Sequence, residues 1–323
     1  MTAPFFRKLF MEKERKIMEH AKKQKKRYTA YERQEHKQGY LFLTPAVIVL
    51  SIFIGLAVLF VVYLSFHKVN LFTGKYEFVG LKNYIRVFND DIAKIGLKNT
   101  LMFSAVVVPL QTVLALIVAS VLNSKIRGTY FFRTVFFLPT LTSSSALTMI
   151  FMFMFSVTGP INNILIKMNI LDQGINFLQD PSFALKVIMV MNIWSTIPMY
   201  TTMYLASLQD LPNSMYEAAD IDGAGPIKRF WYITIPYLKP ITTYVLLTSI
   251  IGTLQMFDQA YIFSGGSGGP SNSTLTVSLM VYKYAFGTQN AMGYAATLAL
   301  ILAVIIMVIS LLAEKANGEE RVY

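Results

Sequence analysis

Cysteine is absent from all 323 residues, which excludes disulfides and thiolate metal sites. Histidine is almost absent. It occurs only at His20, His36 and His67, none with a neighbour at metal-ligand spacing. Charged residues make up 15% of the chain, against about 25% in an ordinary soluble domain. No histidines or paired carboxylates converge in the apolar stretches, so a membrane enzyme is disfavoured. A phosphate-cradling loop is also missing. Its Gly-x-x-x-x-Gly-Lys-Ser/Thr pattern fails at the sole Gly-Lys pair, Gly74-Lys75, which is followed by Tyr76. Any ATP chemistry must come from a partner. No secretory leader is expected, because the first apolar run begins near Tyr40 behind a charged segment and is too long for a signal h-region.

What is present is apolar sequence in long blocks. Six runs are long enough to span a bilayer core of about 30 Å: Leu41–Phe66, Leu101–Leu122, Val135–Ser156, Val187–Leu208, Ile241–Phe263 and Met292–Ala313. The pattern predicts an all-α polytopic bundle of six transmembrane helices. Pro45, Pro109, Pro139 and Pro198 lie within or near the ends of these runs, where neighbouring helices can re-satisfy a freed carbonyl. Residues 1–39 form a basic N-terminal tail, 40–316 the permeation domain, and 317–323 a short C-terminal tail. The net charge of +11 could signal nucleic acid. Its basic residues flank the apolar runs, however, so they read as an orientation signal and as contacts to anionic lipid headgroups, with no nucleic-acid partner. With the N-terminus inside, the inner segments hold 20 of the 29 Lys and Arg residues, twelve of them in the tail. Both termini are then cytoplasmic. Gly265 to Pro270 reads as a flexible external turn.

The longest inner loop, 209–240, carries more design than a connector needs. Asn213 or Ser214 can cap a short helix, and Glu217 then falls in its first turn, where an acid favours the helix dipole. Ala218 and Ala219 are small enough to let a partner surface approach. Gly223 and Gly225 allow a sharp turn, and Pro226 can open a second helix. Phe230, Trp231 and Ile233 give that helix an apolar side.

This loop resembles the EAA coupling loop of ATP-binding-cassette importer permeases: Glu217-Ala218-Ala219, then Gly223, then Ile233-Thr234-Ile235-Pro236, with Ile235 where leucine is usual. The longer stretch from Tyr216 to Ala224 is similar to the carbohydrate-uptake subgroup, on the side of the larger maltose-type or glycerol-phosphate-type permease. Phe78-Val79-Gly80-Leu81-Lys82-Asn83-Tyr84 resembles the external segment after the first helix of that family, and Gly265 to Pro270 its glycine-rich turn after the fifth. The resemblance runs from about residue 40 to the end. It implies a type I importer permease fold in a bacterial cytoplasmic membrane. It implies a second homologous permease, two ATPase subunits that bind the ATP and Mg, and an extracytoplasmic solute-binding protein or lipoprotein; the permease itself needs no cofactor. Glu217, Ala218, Ala219 and Gly223 are then socketed in the ATPase, with Asp222, Lys228 and Arg229 supplying polar contacts and Phe230 also part of the coupling set, and the cargo is a di- or oligosaccharide.

Only one charged residue, Asp258, falls within the six runs. Intramembrane charge is costly and usually marks function. On a continuous fifth helix, Asp258 shares a face with Gln255, Gln259 and Ile262, flanked by Phe257 and Tyr261. Amides, a carboxylate and rings suit a sugar. On the fourth helix Asn192, Thr196 and Met199 share a face, with Trp194, Ser195 and Tyr200 close by. The resemblance puts substrate contacts on this helix, although Thr196 and Met199 replace the glycine and tyrosine of the maltose-type protein. Two other readings stay open: an importer permease for a non-sugar solute such as glycerol phosphate, and a secondary transporter, which would leave the loop without a role.

Overall fold

The computed structural model describes residues 30–70, 74–123, 129–287 and 291–317. The basic cluster from Lys22 to Arg27 lies outside the described residues. The chain divides into two units, 1–60 and 61–323. In the first, helix α1 (Ala30–Leu50) is followed by a π-turn, Ser51–Gly55. No described residue from 34 to 60 is buried, as an apolar helix facing lipid requires.

Helix α2 (Leu56–Ser65) carries the chain across the boundary into the second unit. A hairpin follows, β1 (His67–Asn70) paired antiparallel with β2 (Lys75–Phe78), His67 opposite Phe78. The sequence reading had no strand here. The short helix α3 (Lys82–Asn89) then clips the end of α2, since Asn83 Nδ2 donates to the carbonyls of Ser65 and His67 at 2.8 and 3.1 Å.

The core lies where α4 (Asp91–Asn123) packs along α8 (Ala184–Gln209). Ala115 and Ala119, both fully buried, stand one turn apart on α4 and let the two backbones approach closely. Tyr204, Leu205, Leu208 and Leu238 fill the rest of that cluster. A larger cluster gathers Phe103, Val107, Ile188, Met191, Leu279, Met280 and Tyr294.

Two expected spans are not straight helices. The third breaks into α5 (Thr129–Phe137), a tight turn at Leu138–Leu141 containing Pro139, and α6 (Ser144–Met154), with a bend of 107°. The polar run after Pro139 satisfies the backbone there. Thr140 Oγ1 donates to the Phe137 carbonyl at 2.7 Å, and Ser143 Oγ caps α6 by accepting from the Ala146 amide at 3.3 Å. The fifth breaks at Gln255–Phe257, between α12 (Lys239–Leu254) and α13 (Asp258–Ser264). The last helices are α14 (Val277–Phe286) and α15 (Met292–Asn317). Between α6 and α8 lies the short helix α7 (Pro160–Lys167).

Among the described residues, four helices are long and apolar enough to cross a membrane, or five if the bent pair counts as one span. The 26-residue α8 is long enough but is not among them, because Asn192, Ser195, Thr196, Thr201 and Thr202 dilute its apolar character. The turn at 265–270, expected to be flexible, is tied at the Gly269 carbonyl, and the residues just after it are tied to α4. Asn99 Nδ2 donates to the carbonyls of Asn272 and Leu275 at 2.8 and 3.0 Å, and Thr274 Oγ1 donates to the Gly269 carbonyl at 2.8 Å.

Candidate functional site: a polar cavity and a two-helix knob

The two broken spans and α8 enclose adjoining cavities. The larger, about 520 Å³, takes Phe137, Pro139, Thr140, Thr142, Ser144 and Leu147 from the bent third span, Met191, Ser195, Thr196, Met199, Thr202 and Met203 from α8, and Gln259 from α13. The smaller, about 260 Å³, is lined by Ser144, Asn192, Gly252, Gln255, Met256, Phe257, Asp258 and Gln259. Ser144 and Gln259 border both. The structure thus gathers Asn192, Ser195, Thr196, Met199, Gln255, Phe257, Asp258 and Gln259 around one space.

The reason differs from the one the sequence suggested. Gln255, Asp258 and Gln259 do not share the face of a continuous helix. Gln255 ends α12, the chain turns through Met256 and Phe257, and Asp258 opens the first turn of α13. The break, not helical periodicity, brings these side chains together. Tyr200 lines neither cavity; it is only 7% exposed and lies in the cluster with Ala115 and Tyr204, about 100° around α8 from Met199. Trp194 lines neither cavity; its ring packs 5.6 Å from that of Phe151.

Hydrogen bonds join the cavity walls. Asn192 Nδ2 donates to Gln259 Oε1 at 3.1 Å, bridging α8 and α13. Thr196 Oγ1 lies 2.6 Å from Gln111 Oε1 and 2.8 Å from the Asn192 carbonyl. Gln111, on α4 and 1% exposed, was missed by the sequence reading, as were Thr140, Thr142 and Ser144. The signal for the last three was legible: a polar run from Thr140 to Ser145 directly after a proline, inside an apolar stretch. Outside the cavity, Tyr282 has its phenol pushed above the ordinary tyrosine value by a hydrogen bond with Tyr261.

The loop forms a knob. Helix α9 (Asn213–Ile221) is followed by α10 (Pro226–Arg229), a π-turn at Phe230–Thr234 and α11 (Ile235–Tyr237). Pro212, not Asn213 or Ser214, takes the cap position of α9, and no acid falls in its first turn. Helix α9 ends in a Schellman motif: the Gly223 amide donates to the Asp220 carbonyl at 3.1 Å and the Ala224 amide to the Ala219 carbonyl at 2.9 Å. Gly223 has φ of +71°, the left-handed region, whereas Gly225 is extended with φ of −66°. Only one of the two glycines is conformationally required. Pro226 opens α10 as expected. Arg229 Nη1 pairs with Asp220 Oδ1 at 2.5 Å, and Tyr216 and Thr234 hydroxyls meet at 2.8 Å, so the two halves of the knob are joined twice.

Glu217, Ala218, Asp222 and Gly223 are exposed, and Phe230 is half-buried. Ala219 is buried and faces the knob itself. Ile221, Ile227, Trp231 and Tyr232 are each more than 60% exposed, an apolar patch at the tip. The knob connects directly to the cavity walls. Helix α8 runs from Asn192 into it, and α12 runs from it to Gln255. At its base Tyr237 Oη donates to the Asp210 carbonyl at 3.2 Å, and Tyr204 Oη to Thr242 Oγ1 at 3.2 Å.

Comparison with known proteins agrees with this layout. Residues 111–316 match the family described as binding-protein-dependent transport system inner membrane component. The chain is 39% identical over 287 residues to the lactose transport system permease protein of Rhizobium radiobacter, covering 88% of this chain and 95% of that one. It is 34% identical over 283 residues to the arabinooligosaccharides transport system permease protein of Bacillus subtilis strain 168, covering 86% and 88%. Its fold matches a chain of a bacterial ABC transporter for the acidic polysaccharide alginate, with a TM-score of 0.72 at 21% identity, covering 89% of this chain and 97% of that one. A helical inner-membrane chain whose exposed knob feeds two walls of a cavity is thus a transport component rather than an enzyme, and it belongs to the binding-protein-dependent permeases of ATP-binding-cassette importers.

Proposed function

We propose that this chain passes a neutral di- or oligosaccharide through the adjoining cavities, driven by separate ATPase subunits that grip the knob at 213–237. The observation that carries the reading is the makeup of the cavity wall. It combines amides (Asn192, Gln255, Gln259), hydroxyls (Ser144, Ser195, Thr196), one carboxylate (Asp258) and a ring (Phe257). Sugar hydroxyls pair with the first three groups, and a sugar's C–H face stacks on the fourth. The names of the lactose and arabinooligosaccharide relatives support the same solute class. A lone carboxylate at the cavity works against an anionic cargo such as glycerol phosphate.

The chain's own residues supply the coupling. When the ATPase subunits close, they displace the knob, and α8 and α12 move with it because both begin or end there. Asn192 and Gln259 exchange their mutual bond for bonds to the solute. The alternating access this produces needs a second, homologous permease opposite this chain and a solute-binding protein on the outer side. Both termini then lie in the cytoplasm, and the basic tail at 1–39 rests against anionic headgroups.

The test is uptake in vesicles holding the complete importer. Radiolabelled lactose, maltotriose and arabinotriose are offered with ATP, beside an amino acid and glycerol 3-phosphate. ATP-dependent uptake of a glycan, reduced about tenfold or more by Asp258→Ala with Gln259→Ala, supports the proposal, a factor equal to roughly 1.4 kcal/mol. Uptake of the amino acid or the phosphate ester with no glycan transported would overturn it.

A further inference from the structure

The cavity leaves unexplained a row of rings that leads away from it. Phe257 lines the smaller cavity beside Asp258. Its ring centre stands 5.5 Å from that of Tyr261 and 5.2 Å from that of Tyr282. Tyr261 and Tyr282 are 5.3 Å apart, and Phe286 follows at 5.7 Å from Tyr282. The rings come from two separate elements, α13 with its preceding residue and α14, so the row is not one helix's periodic face.

Exposure rises along the row. Phe257 is half-buried, Tyr261 and Tyr282 are 37% and 38% exposed, and Phe286 is 71% exposed. Gly266 backs one side of the Tyr261 ring, since a Cβ there would stand 3.0 Å from it, and Lys283, the cation of α14, turns its Nζ to the Ser267 carbonyl at 2.8 Å. The row stands at the end of the fifth-span helices remote from the knob. Aromatic belts at membrane interfaces sit at headgroup level. The rings of this row instead form a contiguous path whose inner end is a carboxylate and two amides.

We propose that Tyr261, Tyr282 and Phe286 form an outer stacking subsite, which receives one sugar ring of the arriving glycan and passes it to Phe257 at the cavity. The proposal rests on the oligosaccharide reading above. A sugar presents an apolar C–H face to an aromatic ring and keeps its hydroxyls in water. Contact of this kind holds the ring without tight hydrogen bonds, so the solute moves from one face to the next instead of lodging. The hydroxyls of Tyr261 and Tyr282 offer sideways hydrogen bonds that orient it.

The experiment uses the complete importer in proteoliposomes with its loaded solute-binding protein, and radiolabelled lactose and maltotriose as probes. Glycan moved per ATP hydrolysed is the readout. For Tyr282→Leu with Phe286→Leu it falls about five- to tenfold, and Tyr282→Phe with Phe286 intact, which keeps both rings, recovers most of the loss. An unchanged ratio in the double leucine variant overturns the subsite. So does an equal fall in ATP hydrolysis stimulated by the binding protein, which would assign the rings to protein docking or to the lipid belt. So does Tyr282→Phe losing as much as the leucine variant. Failure of the unaltered importer to move either glycan, with another solute transported, overturns the solute class instead and is read from the wild type alone.

Discussion

The knob and the cavity both hold short, irregular segments in place, by opposite means. In the knob the fastenings between its two helices are local. The Schellman bonds of Gly223 and Ala224, the Arg229–Asp220 pair and the Tyr216–Thr234 contact all close loops of fewer than about twenty residues. In the cavity walls the fastenings reach far along the chain: Thr196 to Gln111 and Asn192 to Gln259. A locally closed element moves as one piece, which suits a lever. Walls joined by single hydrogen bonds between helices can exchange partners when the helices shift, which suits a gate.

The comparison breaks first at Gly223. Its φ of +71° costs a residue with a Cβ roughly 1–2 kcal/mol, more when β-branched. Nothing stands within 4 Å of a Cβ built there, so the cost is conformational and does not come from a clash. Gly223→Val should lower ATP-dependent uptake by about tenfold or more, with the amount of protein in the membrane unchanged on immunoblots. Gly225→Ala is the control. It too has open space, but its φ of −66° suits any residue, so uptake should stay near wild type. Equal losses at both positions would mean that the chain's flexibility, not one left-handed residue, shapes the knob.

The same contrast explains what could be read from the sequence. The knob's signals are neighbours in the chain: a proline that opens a helix, a glycine that ends one, an acid and alanines between. Even there, the inward turn of Ala219 was hidden, because which side of a nine-residue helix faces its own partner depends on Arg229 and Thr234 coming round to meet it. The membrane-helix class was legible from apolar length. The number and straightness of the spans were not, because the polar residues at the bend of the third run and the break of the fifth look like ordinary interruptions until the fold supplies their partners. Asp258 was found because a charge in an apolar run stands out. Gln111 was not, because a single amide on a long helix has no local partner, and its meaning lies in Thr196, 85 residues away.

That pair gives the next effect in size. Gln111→Leu keeps the volume and removes the acceptor for Thr196, which retains the Asn192 carbonyl at 2.8 Å. Hydrogen bonds between membrane helices are worth about 0.6 kcal/mol on average, with about 1.7 as the upper end. Detergent-solubilised protein should unfold a few degrees lower, and uptake should fall by about two- to fivefold. A larger loss in transport than the stability change accounts for would show that Gln111 holds Thr196 in the orientation the solute needs.

The smallest effect belongs to the pair that ties the knob's two helices together. Arg229 and Asp220 have side-chain exposures of 25% and 58%, and an ion pair so open to water contributes about 0–1 kcal/mol. Asp220→Asn should therefore cost between nothing and about fivefold in uptake, less in high salt, where the charge attraction it removes is already screened. Asp220→Asn and Arg229→Gln made together should lose little more than either alone, since each abolishes the same contact. An additive loss would mean that one of the two charges meets the ATPase subunit directly. The pair would then be part of the docking face and not the brace behind it.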